Sequence, residues 1–509
     1  MINLQRTLIL LVALFVAQTS FADYKSARAL FAKRDYVRAA AAYHEVYEKS
    51  DSKPDKRKAE WGLAQSLHKL GLYYSASKYY SLIVRRGRED DNPFFRSALE
   101  ELGNINSKLS LGRSHVVQLF KTEIRLTDVP GPARGFYFYY KGVEAFGAKS
   151  LETAEKFFSM VPAGSSYQLG AQFHEGVIAN LKGRQSRSIA LFEKVLAGTR
   201  DKPEYQELQE MTLMNMARVN YEIKRFAEAI SFYGQIPRDS DNWLDAIWEA
   251  SWAFFFIEKF NNTLGNIHTI HSPFFENRFY PEAYILQSIT FLRMCRFDQV
   301  KESMRRFKER YQPVFGDVKG MLNRYRGDPK GFFKFVYDYK NGSMSNYKKA
   351  EEIVKKLSQV DAFKESMDTI RFTDRELNNL RNYNDWAASG LLESLNSFLE
   401  SKKSAAVLDA GQRMYKEGTT FYNELVDLSN QTKLIVAEMQ LGKLANLRAL
   451  IRVGDEDRKA EFIGGLQKLN INQTLEFWPF EGEYWEDELG FYVYNMESKC
   501  QVKEENKPK

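Results

Sequence analysis

The chain is poor in the residues that build metal and nucleophilic sites: two cysteines and six histidines in 509 residues, scattered rather than clustered. His44-Glu45 and His174-Glu175 each lack the second histidine, four positions after the first, that a zinc-protease helix requires. There is no Gly-Lys-Ser/Thr loop to cradle phosphates and no Gly-x-Ser-x-Gly elbow to expose a nucleophile. Glu481, Glu483, Glu486, Asp487 and Glu488 crowd together, but without the ligand spacing and central glycine of a calcium loop. They read as a solvated acidic edge. A catalytic carboxylate pair would also need a cleft, and nothing local supplies one. These absences predict a non-catalytic protein, with no catalytic, cofactor-binding or metal-binding residues.

Charge of one sign and long apolar runs are scarce as well. The 73 Lys and Arg against 66 Asp and Glu leave a formal charge of +7, with the two signs interleaved nearly everywhere. A nucleic-acid domain concentrates basic residues on one face, so nucleic acid is excluded as a partner. The one clear apolar run, Leu8 to Ala17, is near half of the roughly 20 residues needed to span a bilayer. With Arg6 before it and Ser20-Phe21-Ala22 after it, the stretch reads as a secretory signal peptide, residues 1–22, cut after Ala22. No cysteine lies near the cut to carry an acyl-lipid anchor. The expectation is an exported chain with no integral membrane span after cleavage.

What the chain has is a repeat. Small residues recur where two helices must touch: Ala27, Ala64, Gly103, Gly142, Gly176, Ala217, Ser251 and Ser288. A second column, mostly small, follows at Ala39, Ala76, His115, Ala154, Ser188, Ala229, Thr263 and Val300. Four residues later comes a larger side chain: Tyr43, Tyr80, Leu119, Phe158, Phe192, Tyr233, Ile267 and Met304. Val46, Ile83, Thr122, Val161, Val195, Ile236, Ile270 and Phe307 complete the stripe three residues further on. Steps of four then three keep these side chains on one helical face. Successive members of the second column lie 34 to 41 residues apart, a period that indicates helix pairs burying their faces by stacking on one another.

The stretches Gly71-Leu72-Tyr73-Tyr74-Ser75-Ala76 and Arg225-Phe226-Ala227-Glu228-Ala229 resemble the tetratricopeptide repeat, and residues 23–313 can be laid on that pattern. The resemblance implies an all-α fold, a right-handed solenoid of about seven or eight helix pairs. It also implies that the first helix of each pair lines a concave face that holds peptide. On that pattern Trp61, Gln65, His68, Tyr139, Arg218, Tyr221, Trp248, Trp252 and Phe255 fall along the inner surface, and Trp, Tyr and Arg are the residues that interface hot spots favour. The alternative, that several of these rings pack between units, stays open on sequence alone.

After Pro313 the repeat stops. Glycines and the turns Gly327-Asp328-Pro329 and Asn341-Gly342-Ser343 punctuate residues 314–345, which read as a cap and linker. Residues 346–453 suggest three long helices, with apolar marks from Ala350 to Ile370, from Leu377 to Phe398 with a cap at Thr373-Asp374, and from Val407 to Gly442. The last set steps by four and three without a break, a heptad seam, and predicts an antiparallel coiled-coil-like hairpin that either spaces domains or docks a partner helix. Residues 454–509 form an aromatic and acidic tail. Within it, Phe477-Trp478-Pro479-Phe480-Glu481-Gly482-Glu483-Tyr484-Trp485, followed by Asp487-Glu488-Leu489-Gly490-Phe491-Tyr492, resembles a closing motif of deltaproteobacterial cell-envelope tetratricopeptide proteins. That resemblance implies a Gram-negative periplasm and a place in an envelope or motility assembly. Cys295, among Phe291, Leu292 and Met294, reads as a small buried hydrophobe. A bridge to Cys500 would pin the tail to the solenoid, and the sequence leaves that pairing open.

Together these readings predict a periplasmic scaffold or adaptor that binds a protein or peptide segment of a cell-envelope complex. An envelope glycan or lipid carrier and a murein hydrolase on a helical superstructure are the competing readings.

Overall fold

The computed structural model describes residues 23–87, 92–109, 111, 116, 124–343, 346–452 and 482–500. The expected signal peptide, His115, Leu119, Thr122 and the run Phe477 to Glu481 lie outside them. Among the described residues the chain is all helical, with nineteen α-helices, short 3-10 turns and no strand. None of the described helices is long and apolar enough to cross a membrane. The chain divides into two compact units, Met1–Gln168 with Glu365–Ala406, and Leu169–Lys364 with Val407–Lys509.

The building block in both units is a helical hairpin with one kind of turn. Arg34, Gly71 and Lys149 in the first unit, and Gly183, Lys224, Glu258 and Cys295 in the second, have left-handed φ values between 54° and 76°. Each stands two residues before a second helix. In all seven turns the next residue donates its N–H to the carbonyl five positions back: Asp35 to Leu30, Leu72 to Leu67, Ser150 to Ala145, Arg184 to Ala179, Arg225 to Asn220, Lys259 to Phe254 and Arg296 to Phe291. This is the Schellman arrangement, which satisfies carbonyls the helix end would leave unpaired. Only two of the seven positions are glycine. The other five side chains accept a conformation that costs roughly 1–2 kcal/mol, offset by the closed turn.

Every described member of the two expected columns is buried except Gly103, which is half-buried. Ala27, Ala64, Ala217, Ser251 and Ser288 are inaccessible, as are Ala39, Ala76, Ala154, Ser188, Ala229, Thr263 and Val300. Gly142 and Gly176 carry no side chain because the rings of Phe158 and Phe192 lie where a Cβ would be. Ser188 Oγ donates to the Gly176 carbonyl at 2.8 Å, and Thr263 Oγ1 to the Ser251 carbonyl at 3.3 Å. Hydroxyls at this position thus tie the second helix of a hairpin to the first.

In the first unit the hairpins pack with one C-terminal segment, Glu365–Ala406. Trp386 is fully buried, stacks on Tyr383 with centroids 4.4 Å apart, and donates Nε1–H to the Val37 carbonyl at 2.9 Å. Leu391, Leu395 and Leu399 join the same core. The helix Tyr73–Arg85 begins after Leu72, which has no side chain to cap it. Glu376 does so from 302 and 301 positions away: its carboxylate accepts from Tyr74 N–H at 2.6 Å, Ser75 N–H at 2.9 Å and Ser75 Oγ at 2.7 Å. A carboxylate at a helix N-terminus satisfies orphan donors and complements the helix dipole.

The chain after Arg296 departs from expectation in three places. The helix Phe297–Arg324 runs through Pro313, which is exposed, so the boundary read at that residue is not a break. A proline on the solvent side of a helix loses one hydrogen bond there but exposes the freed carbonyl to water. The segment read as a linker contains the helix Pro329–Lys340, capped by Asp328 and burying Phe332, Phe333 and Val336. The three long helices are differently cut: Glu351–Leu357, Asp361–Leu380 and a single 62-residue helix, Leu391–Arg452. Thr373 is mid-helix and buried, its hydroxyl bonded to the Thr369 carbonyl, so it caps nothing.

The heptad seam of the last helix packs on the body of its own unit. Gly411 lies against the Pro329 backbone, Gly418 against Leu322, Leu357 and Phe332, and Gly442 against Phe297. Phe421 meets Phe279 with ring centroids 5.5 Å apart, and Tyr415 donates to the Leu322 carbonyl at 3.1 Å. The antiparallel coiled-coil-like hairpin expected for this seam is not the arrangement observed: Gly411 admits the Pro329 backbone, and the seam packs on several helices of its own unit.

Cys295 and Cys500 form a disulfide with Cα atoms 4.9 Å apart. Tail residues 490–496 lie along the helix Phe260–Ile270, and residues 497–500 reach Met294 and Arg296. Gly490 N–H donates to Thr269 Oγ1, Tyr494 N–H to the Asn261 carbonyl and Lys499 N–H to the Met294 carbonyl.

Candidate binding face

The nine residues placed on an inner surface by sequence divide between the units. Trp61, Gln65, His68 and Tyr139 belong to the first, and Arg218, Tyr221, Trp248, Trp252 and Phe255 to the second.

In the first unit Trp61 is half-buried, stacked on Phe94 at 5.3 Å with planes 4° apart and tilted against Tyr80. It is an internal packing ring. Gln65 and His68 line a polar cavity of about 380 Å³ with Tyr80, Glu101 and Lys108. His68 Nδ1 stands 3.4 Å from Glu101, and burial lowers its pKa while that carboxylate opposes the shift. Tyr139 belongs to a ring cluster with Tyr140 and Tyr167, each 5.3 Å away, and Phe158.

In the second unit the residues come together. Helix Trp243–Phe256 places Trp248, Trp252, Phe255 and Phe256 on one side by steps of three and four, and helix Gln206–Glu222 places Arg218 and Tyr221 beside it. The rings form an unbroken chain. Tyr280 lies 6.4 Å from Trp248, Trp248 is 6.2 Å from Trp252, and Trp252 is 6.2 Å from Phe256. Phe256 stacks on Phe226 at 5.3 Å and 9°, with Tyr221 edge-on to both. Most of these rings are half-buried, while Phe256 is 51% exposed.

Polar groups flank the rings. Arg218 grips Glu249 through two parallel contacts, Nε to Oε2 at 2.8 Å and Nη2 to Oε1 at 2.5 Å, which raises the guanidinium pKa. Tyr233 donates to the same carboxylate at 2.8 Å, and Tyr280 donates to Asp245 at 2.5 Å. A planar, bidentate pair of this kind holds Arg218 in one orientation while leaving its outer edge in solvent. Chemically the arrangement offers flat apolar area and fixed charge, the composition of an anchor site for a chain segment.

Sequence reasoning missed Phe226, Phe256, Tyr280 and Glu249. Phe256 was within reach, four positions after Trp252 on the same face. Tyr280 lies outside the helices, where periodicity carries no signal. No family model matches the chain, and no curated protein matches it.

Proposed function

We propose that this protein is a non-catalytic scaffold of the tetratricopeptide type, a right-handed helical solenoid whose inner aromatic face captures a protein segment of a cell-envelope assembly. The observation that carries the reading is the run of rings from Tyr280 to Phe226, with Phe256 exposed at its end and the Arg218–Glu249 pair alongside. Seven hairpins with one turn geometry and one buried small-residue column support the repeat reading. The Cys295–Cys500 disulfide supports export to the periplasm, an oxidising compartment where such bonds persist.

The test is affinity capture from a Gram-negative envelope extract, comparing the wild-type chain with a Trp248→Ala, Phe256→Ala double variant of equal helical content. Truncating one hot-spot ring costs about 2 kcal/mol, roughly thirtyfold in affinity, so a protein retained by the wild type should be lost from the variant. Equal capture by both would remove the aromatic face from consideration. Recovery of glycan or lipid in place of protein would favour a carrier.

A further inference from the structure

The second unit also holds a cavity of about 660 Å³ whose lining includes none of the rings of the aromatic run. Four lysines line it: Lys340 at the end of one helix, Lys348 in a short turn, Lys355 in the helix Glu351–Leu357 and Lys364 at the start of the next. The lining carboxylates are Asp241 and Glu351, and Glu351 already accepts the hydroxyl of Tyr339 at 3.4 Å. Among the described residues none of the four lysines forms an ion pair, whereas Lys334, on the same helix as Lys340, is paired with Asp338. Like charges gathered round one concavity repel one another and focus a positive potential into it, which an anion relieves.

Two features define what kind of anion. The cationic lining is entirely lysine, a compact point charge suited to tetrahedral phosphate oxygens, while planar carboxylates are the preferred targets of arginine's fork. Arg278 stands one step back, its Nη1 donating to Gln359 Oε1 at 3.0 Å. With that oxygen occupied, the Gln359 amide has N–H groups left to offer a ligand. Lys355 is half-buried, and burial and Arg278 together hold its pKa below the ordinary lysine value, so the cavity's charge is under electrostatic load. The volume lies in the range of small-molecule sites, not of a polymer groove.

We propose that this cavity binds a small soluble molecule carrying a diphosphate group, held by Lys340, Lys348, Lys355 and Lys364 with Gln359 as a neutral donor. The site is independent of the protein-binding face, and either proposal stands without the other.

The experiment is calorimetric titration of the full chain with inorganic pyrophosphate in 0.15 M salt, with citrate as a carboxylate comparison. The expected result is one site per chain for pyrophosphate, at least tenfold weaker binding of citrate, and at least tenfold weaker pyrophosphate binding in a Lys340→Gln, Lys355→Gln variant. A Lys301→Gln, Lys308→Gln variant, which loses the same charge from an exposed face of the helix Phe297–Arg324, should bind pyrophosphate within twofold of wild type. If the cavity variant unfolds, Lys348→Gln with Lys364→Gln replaces it, since both side chains are exposed. Absence of a single-site isotherm, equal loss in the control variant, or citrate binding as tightly as pyrophosphate would overturn the proposal. So would lysine-dependent sedimentation with phosphatidylglycerol vesicles in place of pyrophosphate binding.

Discussion

The carbonyl oxygen of Tyr492 occupies the place where a Cβ on Gly265 would stand. Glycine is required there because the tail's backbone lies directly on the helix Phe260–Ile270, close enough for Tyr494 N–H to reach the Asn261 carbonyl at 3.1 Å. Replacing Gly265 by Ala should lift the tail without melting the helix, because alanine is the better helix former. Hydrogen exchange at Tyr494 and Met496 should accelerate by at least tenfold, with circular dichroism unchanged. Unchanged protection at those amides would show that the tail is held elsewhere.

The disulfide makes a second, independent attachment of the same strap. In Cys500→Ser, or in wild type under dithiothreitol, limited proteolysis should cut within residues 482–500 several times faster than in the oxidised chain, because the tether restrains the released state. Alkylation of the unreduced, denatured protein should label no cysteine. Two labelled thiols would show that the bond is absent.

Acid should loosen this attachment as well. His268 stacks on Tyr484 at 4.8 Å, meets Tyr492 edge-on and shares a 3.3 Å hydrogen bond with the Tyr494 hydroxyl. Burial holds its pKa down at about 4, and that of the neighbouring His271 at about 3. A histidine freed from burial titrates near 6.5. Between that value and 4 the released state binds more protons than the docked one, so docking weakens as pH falls through this window. Protease sensitivity of residues 482–500 should rise from pH 6.5 to 4 in wild type and rise less in His268→Gln. Equal pH dependence in the two chains would assign the effect to other groups.

Glu376 is the corresponding long-range fastening of the first unit. Glu376→Gln keeps the shape but loses charge-assisted acceptance from the helix N-terminus at Tyr74 and Ser75, a loss of about 1–3 kcal/mol. The melting temperature should fall by roughly 5 °C, at 2–4 °C per kcal/mol for a unit of this size. An unchanged melting curve would mean that water caps the helix as well as the carboxylate does.

The helices and their buried faces were legible in the sequence because both are periodic and local. The column from Ala27 to Ser288 and the rings that meet it fell where spacing put them, since a residue's face on a helix depends only on its neighbours three and four away. The turns were half legible: Gly71 and Gly183 mark left-handed positions, but Arg34, Lys149, Lys224, Glu258 and Cys295 adopt the same φ without a glycine to announce it. The aromatic candidates were read as an inner-surface set, but sequence did not separate Trp61, which packs internally on Phe94, from Trp252, which joins the run ending at exposed Phe256.

Tertiary structure alone decided who meets whom. A heptad seam specifies a stripe but not its partner, and from Gly411 to Gly442 the partner is the body of the unit, with glycine letting Pro329 approach. The pairing of Cys295 with Cys500 across 205 positions, the reach of Glu376 to Tyr74 and the bed of the tail on Gly265 have no local pattern to betray them. Each closes a loop of some two to three hundred residues, and the entropy of closing such a loop grows only as the logarithm of its length, so sequence distance neither forbids nor favours any one of them.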